Sequence, residues 1–191
     1  MKRNTFLHFF NLKLFNADHI LKQEYAHVMN EYMDLVHISL AEQEHKDGFY
    51  LPHHPIIKST SATKKLPKVF DASTKTSNGK SLNDALMVDP MMQDKLFKHL
   101  LKFRKQKYTL KPDIEKMYLQ VLVHPDDWKY QQIFWKYNNE IRAFVIQVVA
   151  FDEGPSSYLA ISEVRKLDED EGTDLQIGAK TVEEDLYVDN L

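Results

Sequence analysis

The amino-acid sequence predicts an α+β fold in which helices pack on one face of a mostly antiparallel sheet. Two observations lead to this prediction. Apolar residues recur at the three-and-four spacing of a half-buried helix in residues 16–44 and again in residues 91–103. Elsewhere, short apolar segments occur in pairs joined by brief polar connections, which is typical of antiparallel hairpins.

The N-terminal half is predicted to begin with a helix that leads into a hairpin. The helix covers residues 16–44, and Asn16 or Asp18 can cap its start. A passage rich in proline and histidine then enters a first strand at Ile56-Ile57-Lys58, and Val69-Phe70 belongs to the second strand. The residues between these strands are small, polar and basic, which favours an exposed hairpin tip.

The middle of the chain is predicted to carry a helix, a strand and a turn. The helix over residues 91–103 ends in a cluster of lysine and arginine side chains, and Tyr108-Thr109-Leu110 enters a strand. Pro112 has no amide hydrogen, so Asp113 is predicted to lie at a strand end or edge, just before a single turn.

The C-terminal half is predicted to contain another hairpin and another helix. Its strands cover residues 131–135 and 144–151, with a polar connection between them. A helix over 158–167 follows a Pro-Ser-Ser sequence, and residues 168–174 are acidic and solvated. Leu186-Tyr187-Val188 is predicted to form a last short strand.

Composition narrows the classes of function. The 191 residues suit one domain, or one domain with an appendage. A net charge of −3 argues against a globally basic nucleic-acid binder, so such a site requires a local basic patch. The absence of cysteine excludes disulfides, zinc sites built from thiolates, and thiol nucleophiles. The apolar runs are short, and we expect an intracellular, cytoplasmic protein with no membrane partner.

Aspartate and histidine side chains are the candidates for metal binding. Asp113 and Asp189 both follow predicted strands, and carboxylate oxygens are ligands that Mg²⁺ prefers. If neighbouring strands bring them together they form a Mg²⁺ site; otherwise they are two surface aspartates in turns. His53 and His54 have no further metal-binding side chains at ligand spacing and are interpreted as structural residues.

Short motifs follow one another along nearly the whole chain. They are Glu31-Tyr32-Met33-Asp34-Leu35, Tyr50-Leu51-Pro52-His53-His54-Pro55-Ile56-Ile57-Lys58, Val69-Phe70-Asp71-Ala72-Ser73, Lys75-Thr76-Ser77, Ser81-Leu82-Asn83, Asp113-Ile114-Glu115-Lys116-Met117-Tyr118, His124-Pro125, Tyr158-Leu159-Ala160, Asp170-Glu171-Gly172, Gly178-Ala179-Lys180 and Tyr187-Val188-Asp189. In order and spacing they resemble the fingers and palm of the reverse transcriptase of BEL/Pao-type LTR retrotransposons.

The resemblance implies an RNA-directed DNA polymerase, which is a nucleotidyltransferase. It implies an N-terminal helical segment over 1–48, a fingers-like hairpin and helix over 49–110, and a palm-like region over 111–191 that is truncated in the catalytic turn. The expected reaction is attack of a primer 3′-hydroxyl on the α-phosphate of a deoxynucleoside triphosphate. An RNA or DNA template–primer duplex directs it, and two Mg²⁺ or Mn²⁺ ions assist.

The resemblance also assigns catalytic residues. Asp113 and Asp189 correspond to catalytic carboxylates that bind the metal ions, and the Ile114 carbonyl contributes a further oxygen. Tyr118 corresponds to the aromatic steric gate, whose ring fills the space that a ribose 2′-hydroxyl needs. The alternative interpretation of Tyr118 is ordinary core packing.

Two basic clusters are candidates for phosphate contacts. Lys64, Lys65 and Lys68 of the hairpin are candidates to contact the triphosphate, although a solvated turn has the same composition. The cluster at the end of the second helix is a candidate for template or primer contacts, although a charged helix end gives the same pattern. Its members are Lys102, Arg104, Lys105 and Lys107.

The sequence departs from the family at positions that matter for catalysis. Asn190 stands where the family has a second aspartate, so one negative charge is lost. Pro67 replaces an arginine of the fingers, and Asp152 and Glu153 add negative charge beside the expected nucleotide. The chain also ends at Leu191, so we expect weak or no polymerase activity. The alternative function is a non-catalytic nucleic-acid-binding remnant of a retroelement polyprotein.

Overall fold

Helices and antiparallel sheets are both present in the computed structural model, in agreement with the predicted α+β class. The structure describes residues 18–42, 48–55, 68–87, 96–105, 107–108, 113–150 and 153–187. The chain divides into two compact units, each discontinuous in sequence. The first unit comprises Met1–Leu86 with Leu122–Glu153, and the second comprises Met87–Val121 with Gly154–Leu191.

The first unit begins with helix α1, His19–Asp34. Asp18 caps it by accepting a hydrogen bond from the Leu21 amide at 2.9 Å, and the buried face carries Leu21, Tyr25 and Met29 at intervals of one turn. The prediction that this helix continues to residue 44 is wrong. Val36 adopts a left-handed φ of 58°, which ends the helical path before the next strand begins.

A three-stranded antiparallel sheet forms the centre of the first unit. Its strands β1 (Ile38–Leu40), β4 (Gln132–Tyr137) and β5 (Glu140–Ile146) lie in the order β1-β5-β4. The predicted hairpin between β4 and β5 is confirmed, but its second strand begins at Glu140 and ends at Ile146, so the predicted bounds 144–151 are wrong. Its two connecting residues, Asn138 and Asn139, both have positive φ, which matches the right-handed twist of the strands.

A second, two-stranded sheet consists of β2 (His53–Pro55) and β3 (Lys68–Phe70), which pair antiparallel. The segment before β2 lies against the start of β4, since the Leu51 amide donates to the Gln132 carbonyl at 2.7 Å. Gly48 permits this approach, because a Cβ there would lie 2.1 Å from the Lys129 carbonyl oxygen.

The second unit contains three α-helices among its described residues: α2 (Leu96–Lys105), α3 (Ser156–Glu171) and α4 (Gln176–Asp185). A short 3₁₀-helix, Met117–Gln120, packs against α3, and α3 also packs against α4. Its buried apolar residues include Met117, Ala160, Ile161 and Leu186.

Several predictions for the second unit need correction. Helix α3 extends to Glu171, so the first part of the acidic stretch 168–174 is helical, and α4 is an additional helix that the sequence reading missed. Tyr108 is not in a strand, and residues 109–112 lie outside the described part of the chain. The segments 1–48, 49–110 and 111–191 stay predictions. Among the described residues, no helix combines the length and apolar character that crossing a membrane requires.

Candidate functional site

The base of the hairpin that is predicted for the fingers is present in the structure. His53 pairs with Phe70, and Pro55 pairs with Lys68. The predicted strand at 56–58 and the tip that carries Lys64, Lys65 and Pro67 lie outside the described residues. Of the three candidate triphosphate contacts, only the backbone of Lys68 is therefore located, in β3.

His53 holds the base of this hairpin against helix α1 and strand β4. Its Nδ1 lies 2.6 Å from the Tyr25 hydroxyl, and its Nε2 lies 2.9 Å from the Phe134 carbonyl oxygen. The carbonyl can only accept, so a neutral His53 carries its hydrogen on Nε2 and accepts the Tyr25 hydroxyl hydrogen at Nδ1. The ring is buried, and Trp135 packs edge-on against it. The structural interpretation of His53 is confirmed.

The loop after β3 is held together by its own side chains. Asp71 accepts hydrogen bonds from the amides of Ser73 and Thr74, both at 2.9 Å. Ser81 and Asp84 cap each other reciprocally: the Ser81 amide donates to Asp84 Oδ2, and the Asp84 amide donates to Ser81 Oγ.

Two exposed lysines of this loop, Lys75 and Lys80, influence Asp84. The Ser81 amide and hydroxyl, followed by these two positive charges, lower the pKa of the Asp84 carboxyl below its usual value. The loop therefore exposes two lysine side chains, and hydrogen bonds of Asp71, Ser81 and Asp84 hold its backbone in place.

Asp113 begins the segment that the resemblance assigns to catalysis. It is exposed and forms an isolated β-bridge, and Lys116 then adopts a left-handed φ of 54° before the 3₁₀-helix. The turn predicted after Asp113 is present, but it continues as a 3₁₀-helix to Gln120, so the extended segment predicted from Leu119 is wrong at Leu119 and Gln120. The Ile114 carbonyl accepts the Met117 amide at 3.2 Å, which leaves its second lone pair for another partner.

Tyr118 lies in the 3₁₀-helix and is partly exposed. Its hydroxyl is 3.2 Å from Ser157 Oγ, in the first turn of α3. Met117 is the buried residue of this helix, whereas Tyr118 is partly exposed, so Tyr118 is not simply a core residue. Its role as a steric gate stays a prediction.

Only some of the predicted metal ligands lie in the part of the chain that the structure describes. Asp113 offers an exposed carboxylate and Ile114 offers a carbonyl oxygen, both suited to Mg²⁺. Asp189 and Asn190 lie outside the described residues, whereas Tyr187, two positions earlier, forms an isolated β-bridge. In the described part of the chain, no group of three or more histidine or acidic side chains is arranged to hold a metal ion.

The basic cluster at the end of α2 is not uniform. Lys102 Nζ donates to the Glu184 carbonyl at 2.6 Å and to Asp185 Oδ1 at 3.0 Å. Arg104, Lys105 and Lys107 are exposed, and Lys107 Nζ lies 5.4 Å from the centroid of the neighbouring Tyr108 ring. The last three are consequently better placed than Lys102 to meet a phosphate.

Glu153, which the sequence predicts to add negative charge beside the nucleotide, has its carboxylate enclosed by protein. It is buried, and Gln131 Nε2, with the amide oriented to suit its neighbours, donates to Glu153 Oε1 at 2.9 Å and to the Val148 carbonyl at 3.2 Å. Asp152 lies outside the described residues. The expected repulsion of a nucleotide by Asp152 and Glu153 therefore stays a prediction.

Sequence reasoning missed several partners of the candidate residues. Ser157 as the partner of Tyr118, and Gln131 as the partner of Glu153, depend on tertiary contacts that no local pattern reveals. The Ser81–Asp84 pair has a local signal, because serine followed three residues later by an acidic residue is typical of a capping box.

The chain matches no protein-family model, and no curated protein matches it either.

Proposed function

We propose that this chain carries fingers-like and palm-like segments of a BEL/Pao-type RNA-directed DNA polymerase. The observation that carries the proposal is the geometry of the segment from Asp113 to Tyr118. An exposed carboxylate at a β-bridge is followed by a left-handed residue and a 3₁₀-helix that holds Tyr118 beside Ser157. A metal-binding aspartate and an aromatic steric gate act on the same nucleotide, so the connection between them must be short and fixed.

Two further observations support the proposal. The antiparallel pairing of β2 with β3 is what a fingers hairpin with a basic tip requires. The loop after β3, which carries the Asp71-Ala72-Ser73 and Ser81-Leu82-Asn83 motifs, is fixed by Asp71 and by the Ser81–Asp84 pair. Motifs that resemble one family thus lie in locally well-defined structure.

In this proposal the residues have distinct roles. Asp113 and Asp189, with the Ile114 carbonyl, would hold Mg²⁺ or Mn²⁺, which stabilises negative charge on the attacking and leaving oxygens when bound. Tyr118 would exclude a ribose 2′-hydroxyl. Lysines of the hairpin would neutralise the triphosphate. The substrates are deoxynucleoside triphosphates and an RNA or DNA template–primer duplex, in the cytoplasm of a cell.

A second candidate is non-catalytic nucleic-acid binding. Asn190 in place of an aspartate removes a negative charge from the catalytic turn, and Pro67 removes a cation from the fingers. Arg104, Lys105 and Lys107 are exposed whether or not the catalytic turn functions. This candidate shares the nucleic-acid partner with the first and differs in lacking turnover.

Titration with Mn²⁺, followed by calorimetry, tests the metal site. Asp113→Asn should weaken binding at least about tenfold, because loss of a direct ligand should cost no less than loss of an outer-shell partner. Asp127→Asn is the matched control, since Asp127 is also exposed and precedes no catalytic motif. Equal titrations for the two variants would reject the metal-site assignment.

Primer extension separates the two candidates. The unmodified chain should extend a primer weakly or not at all, and Asn190→Asp should raise extension. If the unmodified chain extends primers at a high rate, the departures at Asn190 and Pro67 do not limit catalysis. If it binds the duplex with no extension in either form, the second candidate is favoured.

A further inference from the structure

Helix α2 is oriented with its apolar side toward solvent. Lys102 makes the contacts to Glu184 and Asp185, and the His99 ring lies against Tyr187 with ring centroids 5.3 Å apart. The exposed fractions of the apolar side chains on the other side are high: Phe97 69%, Leu100 53%, Leu101 46% and Phe103 41%. Amphipathic helices of a folded protein normally bury that side, so this orientation requires an explanation.

The apolar side of α2 is also strongly basic. Phe97, Leu100 and Leu101 are spaced as neighbours on one helical face, and Arg104 continues the same face one turn later. Residues 96–107 contain five basic side chains and no acidic one. We name this surface the basic face; its exposed members are Phe97, Leu100, Leu101, Phe103, Arg104 and Lys105.

The same unit carries a surface of opposite charge where α3 passes into α4. Residues 167–177 contain five acidic side chains and no basic one. Apolar side chains project among them, with Leu167 61% exposed, Leu175 65% and Ile177 87%. We name this surface the acidic tip.

We propose that the basic face of one copy of this chain binds the acidic tip of a second copy. Each surface combines exposed apolar side chains with an excess of charge of one sign. Lys102 is paired with Asp185 beside the basic face, and Lys166 is paired with Glu169 and Asp170 beside the acidic tip, so Arg104 and Lys105 are the cations expected to meet Glu171 and Asp174. Apolar contacts at the centre with complementary charges around them are the usual composition of a specific interface. Because each copy has both surfaces, the contact can form twice in a two-fold dimer, or once between each pair of neighbours in an open-ended assembly.

The overall charge favours a second copy over an anionic lipid surface. Basic amphipathic helices also bind membranes, but they depend on attraction between a positive protein surface and the lipid headgroups. This chain has a net charge of −3, and the acidic tip belongs to the same unit as the basic face.

Sedimentation velocity of the purified chain at increasing concentration tests the proposal. The average mass should rise from the 22.5 kDa of one chain, and added salt should reverse the rise. Phe97→Glu on the basic face and Ile177→Glu on the acidic tip should each weaken association at least about tenfold, as expected for central apolar contacts. Ile20→Glu is the matched control, because Ile20 is a 65% exposed apolar residue of another helix and should leave the mass unchanged.

Charge reversal identifies which surfaces meet. Arg104→Glu with Lys105→Glu should abolish association, and so should Glu171→Lys with Asp174→Lys. The chain carrying all four substitutions should associate again, which also establishes that the variants fold. Failure of this restoration would overturn the proposal, as would a chain that stays monomeric at every concentration.

Binding to anionic vesicles without self-association would identify lipid as the occupant and overturn the proposal too. The assay contains no nucleic acid, because Arg104 and Lys105 are also predicted phosphate contacts. Its outcome is therefore independent of the polymerase proposal.

Discussion

At the scale of single residues, the buried contacts around His53 couple three elements. The imidazole accepts from Tyr25 on α1 and donates to the Phe134 carbonyl on β4, while its own backbone pairs with Phe70 on β3. A buried polar ring satisfied on both nitrogens stabilises one arrangement, because any other arrangement leaves a polar atom without a partner.

Tyr25→Phe tests this coupling. The substitution removes the hydroxyl that donates to His53 Nδ1 and should lower the free energy of unfolding by about 1–3 kcal/mol, as is usual for a buried polar atom that loses its partner. Urea unfolding followed by tryptophan fluorescence measures the change. Tyr137→Phe is the control, because Tyr137 is 41% exposed. Equal stability of the two variants would contradict the proposed role of the hydroxyl.

Two tyrosines, the buried Tyr25 and the partly buried Tyr32, should make the fold sensitive to alkali. Burial, and then the charge of Glu31, raise the pKa of Tyr32 from 10.0 to about 12, and burial also raises the pKa of Tyr25. The folded state holds these protons more tightly than the unfolded state, so the stabilisation is complete below pH 10 and is lost as the pH rises through about 12.

Urea unfolding at increasing pH measures this loss. The free energy of unfolding of the unmodified chain should fall between about pH 10 and pH 12, and the fall should be smaller in Tyr32→Phe. Tyr137→Phe should retain the full dependence. A Tyr32→Phe variant whose curve parallels that of the unmodified chain would assign the alkaline transition to other groups.

Local chemistry explains which site residues the sequence predicts correctly. The turn after Asp113 follows from the fixed φ of Pro112 and the short polar passage after it, and the structural role of His53 follows from the lack of other ligands nearby. The burial of Glu153 was not predictable, because its partner Gln131 is brought close only by the tertiary fold. From the sequence alone a glutamate is expected to be exposed, because acidic side chains are seldom buried.

At the scale of secondary structure, turn residues predict better than apolar spacing. The β4–β5 hairpin was correctly predicted from its Asn-Asn connection, and α3 from its Pro-Ser-Ser start. The predicted extension of α1 failed because Leu35 and Val36 continue the helical spacing although their side chains are exposed. Helix α4 was missed: it buries no side chain fully, and Gly178 in its first turn lowers the helix propensity of its sequence.

The hairpin turn gives a prediction at this scale. Asn139 has a φ of 64°, a conformation that costs a β-branched residue about 1–2 kcal/mol. Asn139→Val should therefore lower the free energy of unfolding by about that amount, whereas Asn139→Gly should retain near-normal stability. Urea unfolding measures both. A valine variant as stable as the glycine variant would show that the turn does not constrain the hairpin.

At the scale of the whole molecule, charge is separated although the net charge is small. The basic residues at the end of α2 and the acidic residues around the end of α3 belong to one unit, so the net charge of −3 conceals two strong local fields. A nucleic acid would meet the first and avoid the second.

Salt dependence of duplex binding tests this separation. The affinity for a primer–template duplex should fall as salt rises, and Lys105→Ala should reduce the slope of log affinity against log salt by about 0.7–0.9. Lys102→Ala should change the slope less, because Asp185 already neutralises Lys102. Binding that is insensitive to salt would exclude a phosphate-contacting role for this cluster.

The pairing of β1 with β5 has a consequence for synthesis of the protein. Ile38 pairs with Ile146, more than a hundred positions later. At the usual ~5–20 residues per second, a ribosome needs roughly 5–20 seconds to deliver the partner strand. During that interval neither edge of β1 is paired within the sheet, so the nascent N-terminal region can pair with other chains.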